Sequence, residues 1–129
     1  MAAHRSEDEI RKLLKTYEHS LNTSDAPLAA RCYTHDGVFM PTTMPTARGS
    51  ELEPAYARIF KTIRLAVTFT IDELVVSGSA FAHALTRSNG TQTQLATGTH
   101  RAETNREVFI FAFQDSEWKI SRYMFNKPE

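Results

Sequence analysis

A carboxylate and a guanidinium lie within the most apolar stretch of the chain, residues 105–125. Glu107 belongs to a run in which every second residue is aromatic, and Arg122 belongs to the apolar run that follows. The polar segment Gln114–Glu117 separates the two runs, and this pattern is typical of a β-hairpin. A charge that is buried without a partner costs so much free energy that it is normally paired, neutralised or used. Glu107 and Arg122 are therefore the first candidates for a functional site.

The hairpin also predicts which side chains share a face, because side chains alternate along a strand. A tight turn at Asp115-Ser116 gives four facing pairs: Phe113 with Trp118, Phe111 with Ile120, Phe109 with Arg122, and Glu107 with Met124. In that register the acid and the arginine are diagonal neighbours on an aromatic surface. Both faces of the hairpin are mostly apolar, so both are expected to be covered.

Three helices are expected to precede the sheet. A capping-box motif and an apolar stripe at helical spacing predict the first over about residues 6–22. Asp25 is expected to cap a short second helix, which ends near His35 and is followed by a brief strand at 38–40. A third helix is expected to open at Gly49-Ser50.

After the third helix the apolar period becomes two residues, which is strand spacing. It predicts a strand over 65–76, a turn at Ser77-Gly78-Ser79 and a strand over 80–88. Asn89-Gly90 indicates another turn, and the polar segment 91–104 indicates an extended edge or a mobile loop. The predicted class is α+β: one domain over residues 1–129, with a cone-shaped, curved antiparallel sheet whose concave face is covered by the three helices.

Composition excludes several classes of function. The 15 basic and 15 acidic residues cancel, so no nucleic-acid partner and no anionic membrane surface are expected. The single cysteine, Cys32, excludes an internal disulfide. With no apolar run of membrane-spanning length and no apolar signal core, we expect a soluble, cytoplasmic protein. The doubly apolar hairpin favours a homodimer through the sheet.

Five segments form a recognisable set: Tyr17–Asp25, Tyr33–Pro41, Arg48-Gly49, Asn105–Phe109 and Trp118–Asn126. Together they resemble the nuclear transport factor 2-like superfamily, and within it the SnoaL-like and ketosteroid-isomerase-like proteins. The resemblance covers nearly the whole chain and is closest to the branch of small proteins labelled SgcJ/EcaC-type. It implies the cystatin-like fold of that superfamily.

The resemblance also suggests roles for two residues. In ketosteroid isomerases a tyrosine on the first helix and a protonated acid on a late strand stabilise negative charge on a bound oxygen, while a second acid moves the proton. Matched to this chain, the tyrosine is Tyr17 and the protonated acid is Glu107. The position of the proton-moving acid falls on or beside Pro41. Neither Met40 nor Pro41 can accept a proton.

Two other interpretations of Glu107 remain open at this point. The carboxylate can be ionised and paired with Arg122 or Arg106, which would make it a satisfied polar group in the core. Alternatively, an arrangement that resembles the epoxide hydrolases of the superfamily would use Glu107, Arg122 and Asn105 to position a water molecule.

A cavity beneath the helices is expected to be mostly apolar. The apolar side chains expected on its wall, or in the packing around it, are Met40, Met44, Phe60, Phe109 and Met124, and the polar ones are Asn105, Arg122 and His83. His83 can alternatively be a strand histidine with one satisfied nitrogen. Such a cavity favours a hydrophobic small molecule of the polyketide, terpenoid or aromatic type.

No metal or cofactor is expected. The five histidines, His4, His19, His35, His83 and His100, include no HxH or HExxH spacing, and no glycine-rich phosphate loop follows a strand. If the protein is an enzyme, we expect cofactor-free isomerase, cyclase or lyase chemistry. The alternative is a non-catalytic ligand-binding protein or a dimerising interaction module.

Overall fold

The computed structural model describes residues 2–128, with side chains from residue 5 onward. Three α-helices lie in the first half of the chain: α1 at Ala2–Asn22, α2 at Ala26–Arg31 and α3 at Leu52–Thr62. Asp25 caps α2 as predicted, since its Oδ1 accepts the backbone N–H of Leu28 at 3.0 Å. None of the described helices is long and apolar enough to cross a bilayer.

Six strands form one curved, unclosed sheet. They are β1 at Tyr33–Met40, β2 at Ala47–Arg48, β3 at Ile63–Ser77, β4 at Phe81–Gln94, β5 at His100–Gln114 and β6 at Glu117–Asn126. Their order across the sheet is β2-β1-β6-β5-β4-β3. Neighbouring strands are antiparallel, except that β1 and β6 run parallel. The predicted α+β class with a curved sheet is confirmed, and the parallel pair was not expected.

Two expected boundaries are wrong. The second helix ends at Arg31, so Tyr33 begins β1 and does not belong to a helix. Asn89-Gly90 is not a turn, because β4 continues through it to Gln94 and Gly90 pairs with both Val67 and Glu103. A Cβ at residue 90 would lie 1.9 Å from the carbonyl oxygen of Ala66. Glycine is therefore required here by close backbone contact within the sheet.

The last hairpin has the predicted turn but not the whole predicted register. Asp115 and Ser116 have φ of 52° and 66°, as a two-residue hairpin loop requires. Phe113 faces Trp118 and Phe111 faces Ile120 as expected, but the register then shifts by one residue between Ile110 and Phe111. This β-bulge reverses the faces of the residues beyond it, since the side-chain period of a strand is two.

The core lies between the concave face of the sheet and the helices. The rings of Phe39, Tyr123 and Phe109 form a cross-strand stack with centroid separations of 5.6 and 4.2 Å. Tyr17 of α1 contacts this stack edge-on, and the ring of Tyr56 from α3 stacks on Phe39 at 4.7 Å. Aromatic packing of this kind fixes α1 and α3 over the sheet.

Helix α1 also contacts the free edge of β3. The amide of Asn22 accepts the N–H of Val67 at 2.8 Å and donates to its carbonyl at 2.9 Å. Glu18 accepts the N–H of Phe69 at 2.9 Å. These side chains satisfy backbone groups that a neighbouring strand would otherwise pair.

The convex face of the sheet carries a band of exposed large apolar side chains. Each is between 38% and 58% exposed: Met40, Val75, Phe81, Leu85, Val108, Ile110 and Met124. Strand pairing makes most of them neighbours, with Met124 beside Met40 and Val108, and Leu85 beside Val108. We call this set the outer-face band.

Candidate functional site

A cavity of about 180 Å³ lies beneath α1, between the concave face of the sheet and α3. One side of its lining is apolar and includes Leu21, Ile59, Leu65, Val67, Phe69 and Phe125. The other side is polar and is formed by Ser88, Gln92, Glu103, Asn105 and Lys127, which we call the polar strip. Tyr17 and Tyr56 also line this cavity. An engineered cavity of similar size, about 150 Å³, accommodates benzene, so a single-ring molecule fits here.

Three buried tyrosines form a hydrogen-bonded chain at the inner wall of the cavity. The hydroxyl groups of Tyr17 and Tyr56 are 2.5 Å apart, and those of Tyr56 and Tyr33 are 2.7 Å apart. Burial raises the pKa of all three phenols well above the usual value, so they are neutral at physiological pH. When Tyr33 donates to Tyr56 and Tyr56 donates to Tyr17, the Tyr17 proton is left for an oxygen in the cavity.

Glu107 lies on the concave face with only 3% of its surface exposed. Its two carboxyl oxygens accept the hydroxyls of Thr86 and Ser88, each at 2.5 Å. Burial raises the pKa of Glu107, and the nearby charges of Glu103 and Asp72 add to this, while the two hydroxyl bonds oppose it. Among the described residues no hydrogen bond joins Glu107 to Tyr17, and Glu107 borders the cavity only through Ser88.

Glu103 is the second buried carboxylate, 7% exposed, and it lines the cavity directly. One oxygen accepts the side-chain amide of Gln92 at 2.6 Å, and the other accepts Asn105 at 2.8 Å and the Lys127 ammonium at 2.9 Å. Burial disfavours the charge on Glu103, but these three hydrogen bonds outweigh it and hold its pKa below the usual value. Glu103 is therefore ionised in the folded protein.

The two carboxyl groups are connected through the polar strip. Asn105 donates to Glu103 and also to the Ser88 hydroxyl at 3.2 Å, and Ser88 donates to Glu107. Their pKa values are shifted in opposite directions by their surroundings. A pair of titratable groups separated in this way is the pattern from which acid and base roles are assigned.

The sequence interpretation missed most of this polar strip. Gln92 and Glu103 were missed because residues 91–104 were expected to be a loop or an edge, and no motif pointed to Ser88 or Lys127. The available signal was the spacing of Glu103, Asn105 and Glu107, which places three polar side chains on one face of a strand. That spacing indicates a shared face only if residue 103 already belongs to the strand, and β5 does begin as early as His100.

The predicted pairing of Glu107 with an arginine is wrong. The bulge turns Arg122 to the convex face, where it is exposed and donates to the backbone carbonyl of Ser121 at 2.8 Å. Arg106 is also exposed and donates to the side chain of Asn126 at 2.6 Å. An arrangement of Glu107, Arg122 and Asn105 around one water molecule is therefore not present.

The other expected wall residues divide into three groups. Asn105 and Met44 line the cavity. Phe60 and Phe109 are buried in the surrounding core but do not line it. Met40, Met124 and His83 lie on the convex face, which corrects the expectation that they face the cavity. Met124 lies two residues after Arg122, so the bulge turns both side chains to the same, convex face. His83 lies between Ala82 and Ala84, which face inward on β4, so its own side chain faces outward.

Among the side chains that the structure describes, no group of three or more His, Cys, Asp and Glu is arranged to hold a metal ion. The side chain of His4 lies outside the described residues. The polar strip and the tyrosine chain thus define the candidate site.

The fold and the site define a class of small α+β protein in which a curved sheet and three helices enclose a cavity with buried acid and phenol groups. The chain belongs to the SnoaL-like domain family, whose sequence model matches residues 13–123. Among curated proteins, no sequence matches this chain.

Solved structures with this fold include a ketosteroid isomerase-like protein from Erwinia carotovora atroseptica SCRI1043, which is 28% identical, with a TM-score of 0.89 over 95% of both chains. A nuclear transport factor 2-like protein from Salmonella enterica serovar Typhimurium LT2 is 19% identical, with a TM-score of 0.85 over 98% of this chain and 93% of the other. A cystatin-like domain from Nostoc punctiforme is 14% identical, with a TM-score of 0.80 over 97% of this chain and 78% of the other. The last two comparisons show the fold alone.

Proposed function

We propose that the protein binds a small organic molecule of about one ring in the cavity beneath α1, with an oxygen of that molecule on the Tyr17 hydroxyl. The observation that carries the proposal is the chain of neutral phenols at the wall of a mostly apolar cavity, in which Tyr17 has a free proton for a ligand when Tyr33 donates to Tyr56 and Tyr56 donates to Tyr17. A few polar groups placed in an apolar hollow are typical of ligand sites. The similarity to a ketosteroid isomerase-like protein supports an isomerase-type activity.

In this proposal Glu107 assists through Ser88. When protonated Glu107 donates to the hydroxyl oxygen of Ser88, Ser88, which lines the cavity, is free to donate its own proton to the ligand oxygen, while Thr86 continues to donate to the other carboxyl oxygen. Tyr17 and Ser88 together would stabilise negative charge that develops on that oxygen. The chemistry is of the cofactor-free isomerase, cyclase or lyase type.

The oxygen contact is tested with two single-ring probes of similar size, cyclohexanone and toluene. In Tyr17→Phe we expect cyclohexanone to bind roughly 2- to 10-fold more weakly, the loss of one hydrogen bond, and toluene to bind as in the parent protein. NMR shift titrations give both dissociation constants. Equal weakening of the two probes, or no binding of cyclohexanone to the parent, would reject the proposal.

Non-catalytic binding is the second candidate function. It is supported by the resemblance to the ketosteroid isomerases, which places the proton-moving acid on or beside Pro41, where neither Met40 nor Pro41 can accept a proton. The two functions are separated by product formation from a bound ketone.

We also propose that two copies associate through the outer-face band. Its exposed apolar side chains form a contiguous area that no helix covers, because all three helices pack on the concave side. Exposed patches of this kind are commonly interaction sites.

A cytoplasmic location agrees with the single, buried and unpaired thiol of Cys32.

A further inference from the structure

We propose that Glu103 is the general base of this cavity and removes a proton from the carbon beside the carbonyl that Tyr17 polarises. This inference rests on the proposed function, and it supplies the group that is missing at Pro41. The base comes from β5, two residues before Asn105, and not from the end of β1.

Position is the first argument. Glu103 and Tyr17 line the same cavity of about 180 Å³, Glu103 within the polar strip and Tyr17 at the inner wall. A ligand that fills this cavity therefore contacts both residues. Glu103 is 7% exposed, so its carboxylate is held inside the protein and does not extend into bulk water.

The hydrogen bonds of Glu103 are the second argument. An ionised carboxylate has about four acceptor positions, and Gln92, Asn105 and Lys127 occupy three of them. These donors fix the carboxylate in one orientation and leave it one position with which to accept a proton. A preoriented base of this kind loses little freedom when it acts.

The contrast with Glu107 is the third argument. Glu107 accepts hydrogen bonds only from the neutral hydroxyls of Thr86 and Ser88, whereas Glu103 also accepts one from the Lys127 ammonium. The same face of β5 therefore presents one carboxyl that favours its proton and one that favours its charge. Enolisation requires both kinds of group, a donor toward the oxygen and an acceptor at the carbon.

Lys127 explains how the proton is exchanged with solvent. It lines the cavity, yet its side chain is 46% exposed, so water has access beside Glu103. A proton taken by Glu103 can be exchanged there before it is returned.

The step is balanced without any other reactant. The α C–H bond breaks and its proton forms an O–H bond on Glu103. The C–H electron pair becomes the C=C bond of the enolate, and the C=O π pair moves to the oxygen that receives the hydrogen bond from Tyr17. Return of a proton from Glu103 to carbon completes the cycle.

The test is hydrogen–deuterium exchange at the α carbons of cyclohexanone in D2O, followed by proton NMR. The parent protein should catalyse exchange. Glu103→Gln should lower the rate at least about 100-fold, the usual contribution of a general base, while cyclohexanone still binds. Glu73→Gln, which removes a half-exposed carboxylate outside the cavity, should exchange at the parent rate.

A second variant, Lys127→Met, distinguishes loss of the Glu103 carboxylate from a general disturbance of the polar strip. It removes the ammonium but leaves Gln92 and Asn105 to orient the carboxylate, whose pKa should rise, so exchange should be retained and its pH profile should shift to higher pH. If the strip were only structural, both variants would slow exchange equally, and the assignment would be overturned.

The remaining outcomes distinguish the two proposals. Cyclohexanone binding without exchange in the parent, or parent-rate exchange in Glu103→Gln, overturns the role of Glu103 and leaves the binding site intact. Absence of cyclohexanone binding rejects the proposed function and the base together.

Discussion

Glu103 and Glu107 lie on the same face of one strand and ionise differently because their donors differ. Both are almost fully buried, at 7% and 3% exposure. Burial by itself favours the neutral form of a carboxyl group. Three donors, one of them an ammonium, reverse that preference at Glu103, whereas two hydroxyls do not reverse it at Glu107.

Burial of Glu107 makes the stability of the protein depend on pH. The folded-state pKa of Glu107 is raised above its usual 4.5, so folding favours the protonated carboxyl. Its contribution to the free energy of unfolding is complete below about pH 4.5 and is lost as the pH rises through the raised pKa. Glu107→Gln cannot ionise, so from pH 4.5 to 7.5 its stability should rise relative to the parent.

Urea unfolding at several pH values, followed by circular dichroism, measures this difference. Glu53→Gln is the control, since that carboxylate is exposed on α3, and it shows what a Glu-to-Gln change does at an exposed position. A constant difference between Glu107→Gln and the parent over the whole range would show that Glu107 is ionised as readily in the folded protein as in the unfolded chain.

At the scale of elements, alternation was enough to place Glu107 on the same face as Phe109 and Phe111, and the resemblance implied that this is the concave face. Alternation was not enough to identify Thr86 and Ser88 as its partners, because that depends on β4 passing straight through Asn89-Gly90. The pattern of these two residues is that of a hairpin turn. Only the tertiary contact of Gly90 with Ala66 shows why a glycine is present.

Gly90→Ala should therefore destabilise the protein by about 2 kcal/mol or more, since the added Cβ would lie 1.9 Å from a backbone oxygen that cannot move freely. Gly78→Ala is the control. It has a φ of +67° but nothing within 4 Å of the added atom, so it should cost only about 1 kcal/mol of conformational strain. Urea midpoints give both values, and equal costs would show that the close contact at residue 90 relaxes.

The bulge on β6 is the other feature that local patterning did not reveal. One extra residue near Ser121 moves Arg122 and Met124 to the convex side and brings Tyr123 opposite Phe109. A strict alternation from the turn predicts the opposite faces for these residues. This bulge left no trace in the apolar periodicity, because apolar residues lie on both faces of β6 beyond it, Tyr123 and Phe125 on one face and Met124 on the other.

At the scale of the whole molecule, the order of elements and the change of period from helical to strand spacing predicted the class of fold. The apolar residues on both faces of the last hairpin also predicted that both faces need cover. The helices provide it on one side only, so the outer-face band remains.

Ile110→Asp should convert a dimer into a monomer, because it places a charge at the centre of an apolar contact. The dissociation constant should rise at least about 100-fold, corresponding to about 2.7 kcal/mol. Thr70→Asp, on the polar outer part of β3, should leave it unchanged. Sedimentation velocity over a range of concentrations measures both, and a parent protein that remains monomeric throughout would rule out association through this face.

The contacts of Glu18 and Asn22 with β3 have a consequence for how copies of the chain can meet. A strand of 15 residues at the border of a sheet is a template on which further chains can be added indefinitely, as in fibrils. Side chains of α1 occupy the bonding positions at Val67 and Phe69, so the helix that roofs the cavity also blocks filament growth. The sheet can then associate face to face but is protected from lateral extension along this strand.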